Sequence, residues 1–146
     1  MNATISQAAP LDVSRFAVQP RRVEKPWGYE LIYGLSDAYC GKLLWIRAGA
    51  ALSLQYHERK DETIYLDDGL IELEIGEPGQ PLSAAIVHPG AAFRIRPGVI
   101  HRMIAMRDST VLEVSSPDLE DVVRLQDRYG RVEIPVPGAD PVSPAC

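Results

Sequence analysis

Gln55 and His57 stand two residues apart in the run LSLQYHERKDE, and Glu62 follows five residues after the histidine. In an extended strand, side chains at i and i+2 project from the same face, so both can point into one cavity. The charged turn Glu58–Asp61 lies before Glu62, which opens the next apolar run; a hairpin there would bring its carboxylate beside the pair. His101 belongs to a distant run that also reads as a strand. Two imidazoles, a carboxylate and an amide oxygen form a mixed nitrogen–oxygen set suited to a borderline divalent ion. Gln55, His57, Glu62 and His101 are therefore the candidate metal ligands. The third histidine, His88, precedes the turn Pro89–Gly90 and is expected to be structural or solvent-facing.

The elements that must carry these groups are short. Apolar runs alternate with turn residues at spacings of roughly ten, the pattern of an all-β sandwich or barrel. The expected strands are Tyr29–Tyr33, Lys42–Ala48, Leu52–His57, Glu62–Asp67, Leu70–Gly76, Ala84–His88, Ala92–Ile95, His101–Met106 and Thr110–Ser115. Asp68–Gly69 between two of these runs signals a hairpin. Before Pro117 no window sustains a helical period, whereas the acidic start and the Leu119/Val122/Val123 spacing permit one short helix within Asp118–Tyr129. Residues 1–20 read as a flexible N-terminal arm, residues 21–131 as the folded domain, and residues 132–146, with Pro135, Pro137, Pro141 and Pro144, as a tail in which neither helix nor interior strand can form.

Composition bounds the function. The chain has 146 residues, 46% hydrophobic and 24% charged, as expected of one soluble domain with a core. A formal charge of −5 argues against nucleic acid as the main partner. No apolar run approaches the ~20 residues that cross a bilayer, and the N-terminus lacks the basic start and apolar stretch of a secretory signal. Cys40 and Cys146 cannot build a disulfide framework. A cytoplasmic protein without membrane contact is expected.

A glycine frame surrounds the candidate ligands. The stretch GAALSLQYHERKDETIYLDDG, Gly49 to Gly69, resembles the first cupin motif, G-x5-H-x-H-x3–4-E-x6-G, with Gln55 in place of the first histidine. Gly90, Gly98 and His101 match the second motif, G-x5-P-x-G-x2-H-x3-N, which departs at Arg96 and Ala105. LSLQYH, the early KPWGYE and the closing DVVRLQDRYGR are similar to segments of the mannose-6-phosphate isomerase-like cupins, including the C-terminal module of the bifunctional guanylyltransferase/isomerases. This resemblance implies a single-domain jelly-roll β-barrel, a divalent metal cofactor (zinc first, with manganese, iron or nickel as alternatives) and a homodimer. It also implies an aldose–ketose isomerase acting on a sugar phosphate. The extra histidines common in those modules between the ligand His and Glu are absent here, where Glu58, Arg59, Lys60 and Asp61 stand.

Isomerisation needs a base near the transferred proton, for which Glu113 and Lys60 are the candidates, with Lys42 as a rival. An anionic sugar needs a cationic clamp, for which Lys25, Arg94, Arg96, Arg102 and Arg124 qualify by motif position or strand end. With Gln55 and His57 facing inward, Leu52, Leu54 and Tyr56 would form an outward apolar strip and bury a dimer interface. Two alternatives remain beside the isomerase: a non-haem iron dioxygenase using the two His and one carboxylate, and a non-catalytic sugar- or metabolite-binding cupin.

Overall fold

The computed structural model describes residues 9–132. Within them, a single 3₁₀ turn at Val13–Phe16 precedes eleven strands: β1 (Arg21–Lys25), β2 (Gly28–Leu35), β3 (Cys40–Ile46), β4 (Leu54–Tyr56), β5 (Glu62–Asp68), β6 (Ile71–Gly76), β7 (Ser83–Val87), β8 (Ala92–Ile95), β9 (Ile100–Ala105), β10 (Ser109–Ser115) and β11 (Val123–Gln126). They form a six-stranded sheet in the order β1-β2-β3-β10-β5-β8 and a five-stranded sheet in the order β11-β4-β9-β6-β7, every pairing antiparallel. This is the all-β jelly roll expected from the strand pattern. Among the described residues no helix is long and apolar enough to cross a membrane.

Period-two alternation explains both the core and the position of the polar groups. β5 turns Glu62, Ile64 and Leu66 inward, β9 turns His101, Met103 and Ala105 inward, and β10 does the same with Val111 and Glu113. The files of β5 and β9 are apolar beyond their first inward residue, Glu62 or His101, whereas that of β10 sets Glu113 between Val111 and Ser115. One end of the sandwich is therefore a closed apolar core, in which Ile46, Ile71, Ile95 and Val111 are almost fully buried. The other end collects charge.

Several local expectations change. Asp68–Gly69 does not close a hairpin, because β5 lies in one sheet and β6 in the other. It is a corner between layers, with Gly69 at φ +104° and packed against Asp108 and Ser109. Glu62 likewise reaches Gln55 and His57 from the opposite sheet, across the Glu58–Asp61 loop. The segment that permitted a short helix is a turn followed by β11, whose pairing with β4 satisfies its backbone. Leu52 precedes β4 and packs against the core cluster, and Leu54 is 6% exposed within one chain, so the outward strip dissolves as a ground for a dimer. In the arm, the described residues Leu11, Val13, Phe16 and Val18 are exposed. The proline-rich tail lies outside the described residues, apart from Val132.

Gly69 and Gly90 both adopt positive φ, but a Cβ on Gly90 would meet nothing within 4 Å, whereas one on Gly69 would overlap Ser109 Oγ and lie 2.6 Å from the Asp108 carbonyl oxygen. Gly90→Ala should cost about 1–3 kcal/mol from backbone strain alone. Gly69→Ala should cost clearly more, as read from urea unfolding of the two variants.

Candidate functional site

At the polar end a cavity opens between the sheets. The five-stranded sheet contributes Gln55 and His101, which are cross-strand partners on β4 and β9, with His57 just beyond β4. From the six-stranded sheet come Glu62 of β5 and Glu113 of β10. The closing segment supplies Leu119, Asp121, Val122, Arg124 and Arg131.

His57, Glu62 and His101 are all buried, and each offers a ligand atom within 4.8 Å of the other two. Glu62 Oε1 is 3.4 Å from His57 Nε2 and 3.1 Å from His101 Nε2. His57 Nδ1 lies 2.6 Å from the Asp121 carbonyl oxygen, and His101 Nδ1 lies 3.0 Å from that of Val99. A carbonyl oxygen only accepts, so both rings donate through Nδ1–H and turn Nε2 toward the carboxylate. The buried His57 Nε2 has no hydrogen-bond partner. Two ring nitrogens facing one carboxylate oxygen leave a position that a cation could occupy. Ligand atoms around an ion with bonds of about 2.1 Å stand roughly 3.0–3.4 Å apart, which matches these separations. The residues therefore fit a divalent ion, with both imidazoles anchored by backbone carbonyls in the way metal-binding histidines usually are. Gln55 lines the same cavity, and its amide oxygen accepts from Ser53 Oγ at 2.6 Å, which leaves one lone pair.

Behind the triad runs a ladder of charge, buried except at its outer member, Lys25. Across the six-stranded sheet and the loop entering β5, the order is Lys25, Glu30, Lys42, Glu113, Lys60 and Glu62, with signs alternating at every step. Glu30 bridges Lys25 and Lys42 at 3.0 Å each, and Lys42 faces Glu113 across β3 and β10. Lys60 Nζ lies 2.6 Å from Glu113 and 2.7 Å from Glu62. Burial opposes ionisation of Glu62, yet the adjacent His101 and His57 rings and the Lys60 charge hold its carboxyl well below the usual range. Burial and the neighbouring Glu62 push the Glu113 carboxyl up, against the pull of Lys60 and Lys42. For Lys60, burial disfavours the ammonium, but Glu113 and Glu62 outweigh it and raise its value. Lys60 is thus a fixed cation behind the cavity wall, a poor proton acceptor, whereas Glu113 is on that wall.

The candidate cations separate in the same way. Lys25, Arg102 and Arg124 line the cavity, but Arg94 and Arg96 do not. The alternation that buries Ile95 turns both arginines to solvent, where Arg94 clasps Asp61 at 2.7 and 3.1 Å. Of the lining cations, Lys25 and Lys42 are held by Glu30, Arg102 by Glu74 and Arg131 by Asp127. Arg124 has no carboxylate partner among the described residues, and its Nε is buried without a hydrogen bond. His88 is exposed and does not line the cavity.

Sequence reasoning passed over Asp121, whose carboxylate accepts from the backbone N–H groups of Glu58 (3.0 Å), Arg59 (2.6 Å) and Lys60 (2.8 Å). Only its place in the closing motif marked it.

Two antiparallel sheets enclosing such a cavity form a jelly roll like that of the cupins, and the chain resembles members of their mannose-6-phosphate isomerase-like branch. It is 28% identical over 116 residues to the xanthan biosynthesis protein XanB of Xanthomonas campestris, covering 76% of this chain and 24% of that protein. With mannose-1-phosphate guanylyltransferase 2 of Escherichia coli O157:H7 it shares 28% identity over 119 residues, 77% of this chain and 23% of that one. The chain thus spans about a quarter of the length of the curated relatives it matches. Among solved structures, KdgF from Halomonas sp. aligns with a TM-score of 0.58 at 25% identity, covering 70% of this chain and 91% of that chain. No family model matches.

Three backbone donors hold the Asp121 carboxyl down at about 2 despite burial, from an ordinary value of 3.8. A depressed carboxyl stabilises the fold above its unfolded value and loses that contribution as the pH falls through its folded value. Asp121→Asn should therefore be less stable than the wild type near neutral pH. The difference should close as the pH drops from about 4 to about 2, in urea melts across that range.

Proposed function

We propose that the protein is a metal-dependent aldose–ketose isomerase acting on a phosphorylated hexose of the mannose-6-phosphate type. The observation that carries this reading is one cavity holding both the His57/Glu62/His101 triad and the unpartnered Arg124 guanidinium. The names of the relatives support it, since one of them is a mannose-1-phosphate guanylyltransferase.

In this reading His57, Glu62 and His101 hold the ion, with the Gln55 amide oxygen as fourth ligand. A bound divalent ion would supply Lewis-acid stabilisation of charge developing on the substrate oxygens. Glu113 is the base: its carboxylate takes the C2 proton of the aldose and returns it to C1, while one hydroxyl proton passes from O2 to O1. A carboxyl raised by burial is better matched to that exchange near neutral pH than an ordinary one. Lys60 keeps Glu113 and Glu62 apart electrostatically, and Arg124 holds the phosphate, with Arg102 and Lys25 adding positive potential. The same two imidazoles and carboxylate also suit ferrous iron. Substrate-dependent oxygen consumption by iron-loaded protein would favour the dioxygenase over the isomerase.

Two measurements test the proposal. Replacing His57 and His101 together by Ala should remove the metal from purified protein in elemental analysis, and stoichiometric metal in that variant would refute the ligand set. With zinc- or manganese-loaded protein interconverting mannose 6-phosphate and fructose 6-phosphate, Arg124→Met should raise KM by about 10- to 100-fold, the worth of one charge-assisted hydrogen bond. Metal content should not change. Equal activity on phosphorylated and free mannose would remove Arg124 from the clamp.

A further inference from the structure

We infer that Asp121 is the positioning residue of the metal centre, acting through His57 and through the loop that joins His57 to Glu62. The inference rests on the metal-binding reading above.

The loop has an unusual task, because it leaves β4 in one sheet and enters β5 in the other, and a candidate ligand sits at each end. Its N–H groups cannot join either sheet ladder. Those of Glu58, Arg59 and Lys60 all turn to the Asp121 carboxylate, and that of Asp61 turns to Ser116 Oγ at 3.2 Å. Three successive N–H groups form a concavity suited to an anion, and the carboxylate fills it. Main-chain geometry then sends the Asp121 carbonyl oxygen to His57 Nδ1 at 2.6 Å. A single residue, 64 positions from His57, thus fixes the ring's tautomer and orientation while setting the span to Glu62. Asp127 provides a contrast within the same segment. Its carboxylate binds Arg131 and touches neither the loop nor a histidine, so it anchors the segment without orienting a ligand.

Asn at position 121 offers one acceptor oxygen where two were used, and its amide N–H₂ faces a backbone donor. Zinc affinity of the full chain, measured by competition with a chelator, should fall about 10- to 100-fold in Asp121→Asn and Asp121→Ala. Asp127→Asn should bind zinc as tightly as the wild type. Unchanged affinity in the Asp121 variants, or an equal loss in Asp127→Asn, would overturn the inference and leave the metal reading standing. A wild-type protein that binds no zinc, manganese or ferrous iron would overturn both. Should the Asp121 variants fail to fold, nitrogen-15 NMR of the metal-free wild type decides. His57 is expected as the Nδ1–H tautomer, and an Nε2–H ring would overturn the assignment.

Discussion

Lys60, buried between Glu62 and Glu113, governs what the rest of this molecule can be. A charge taken out of water costs several kcal/mol unless a partner compensates it, and removing one member of such a set leaves the others uncompensated. Here the compensation extends through Glu113 to Lys42 and on through Glu30 to Lys25. That chain of alternating signs exists only if β1, β2, β3, β10 and β5 lie side by side in that order and in register. The electrostatics and the topology therefore specify one another. Shifting any of these strands by one residue would turn its charge to the far face of the sheet.

The ladder also accounts for the chemistry open to the cavity. It keeps Glu62 ionised and ready for a cation, while burial and the nearby Glu62 leave Glu113 higher on the proton scale. Two carboxylates on neighbouring strands are thereby driven apart in behaviour, the pattern by which sites divide binding from proton transfer. Arg124 enters from the opposite sheet without a carboxylate of its own among the described residues, so positive potential there remains available to a ligand.

Much of this was legible in the sequence because the governing rule is local. Strand alternation brought Gln55 and His57 to one face, and the glycine frame pointed to Glu62 and His101. What escaped depended on which sheet a strand joins. Asp68–Gly69 has the chemistry of a hairpin, but β5 and β6 part company at that corner. Arg94 and Arg96 flank the second motif in sequence, yet their parity on and beyond β8 sends them to solvent. Leu52 seemed to share a face with Leu54 and Tyr56, but β4 begins only at Leu54. Asp121 was hidden for a further reason. Its work is done on backbone donors 61 to 63 residues away, and no spacing rule reports such contacts.

The order in which the chain is synthesised acquires a meaning from the closing segment. A ribosome delivers β4 and β5 long before β10 and β11, so a nascent chain carries Lys60 and Glu62 without Glu113, and His57 without its carbonyl acceptor. Residues 113–124 supply Glu113, which joins the Lys42 and Lys60 ends of the ladder, and the Asp121 carbonyl oxygen that meets His57. The far wall of the cavity is thus completed only by the last part of the described chain.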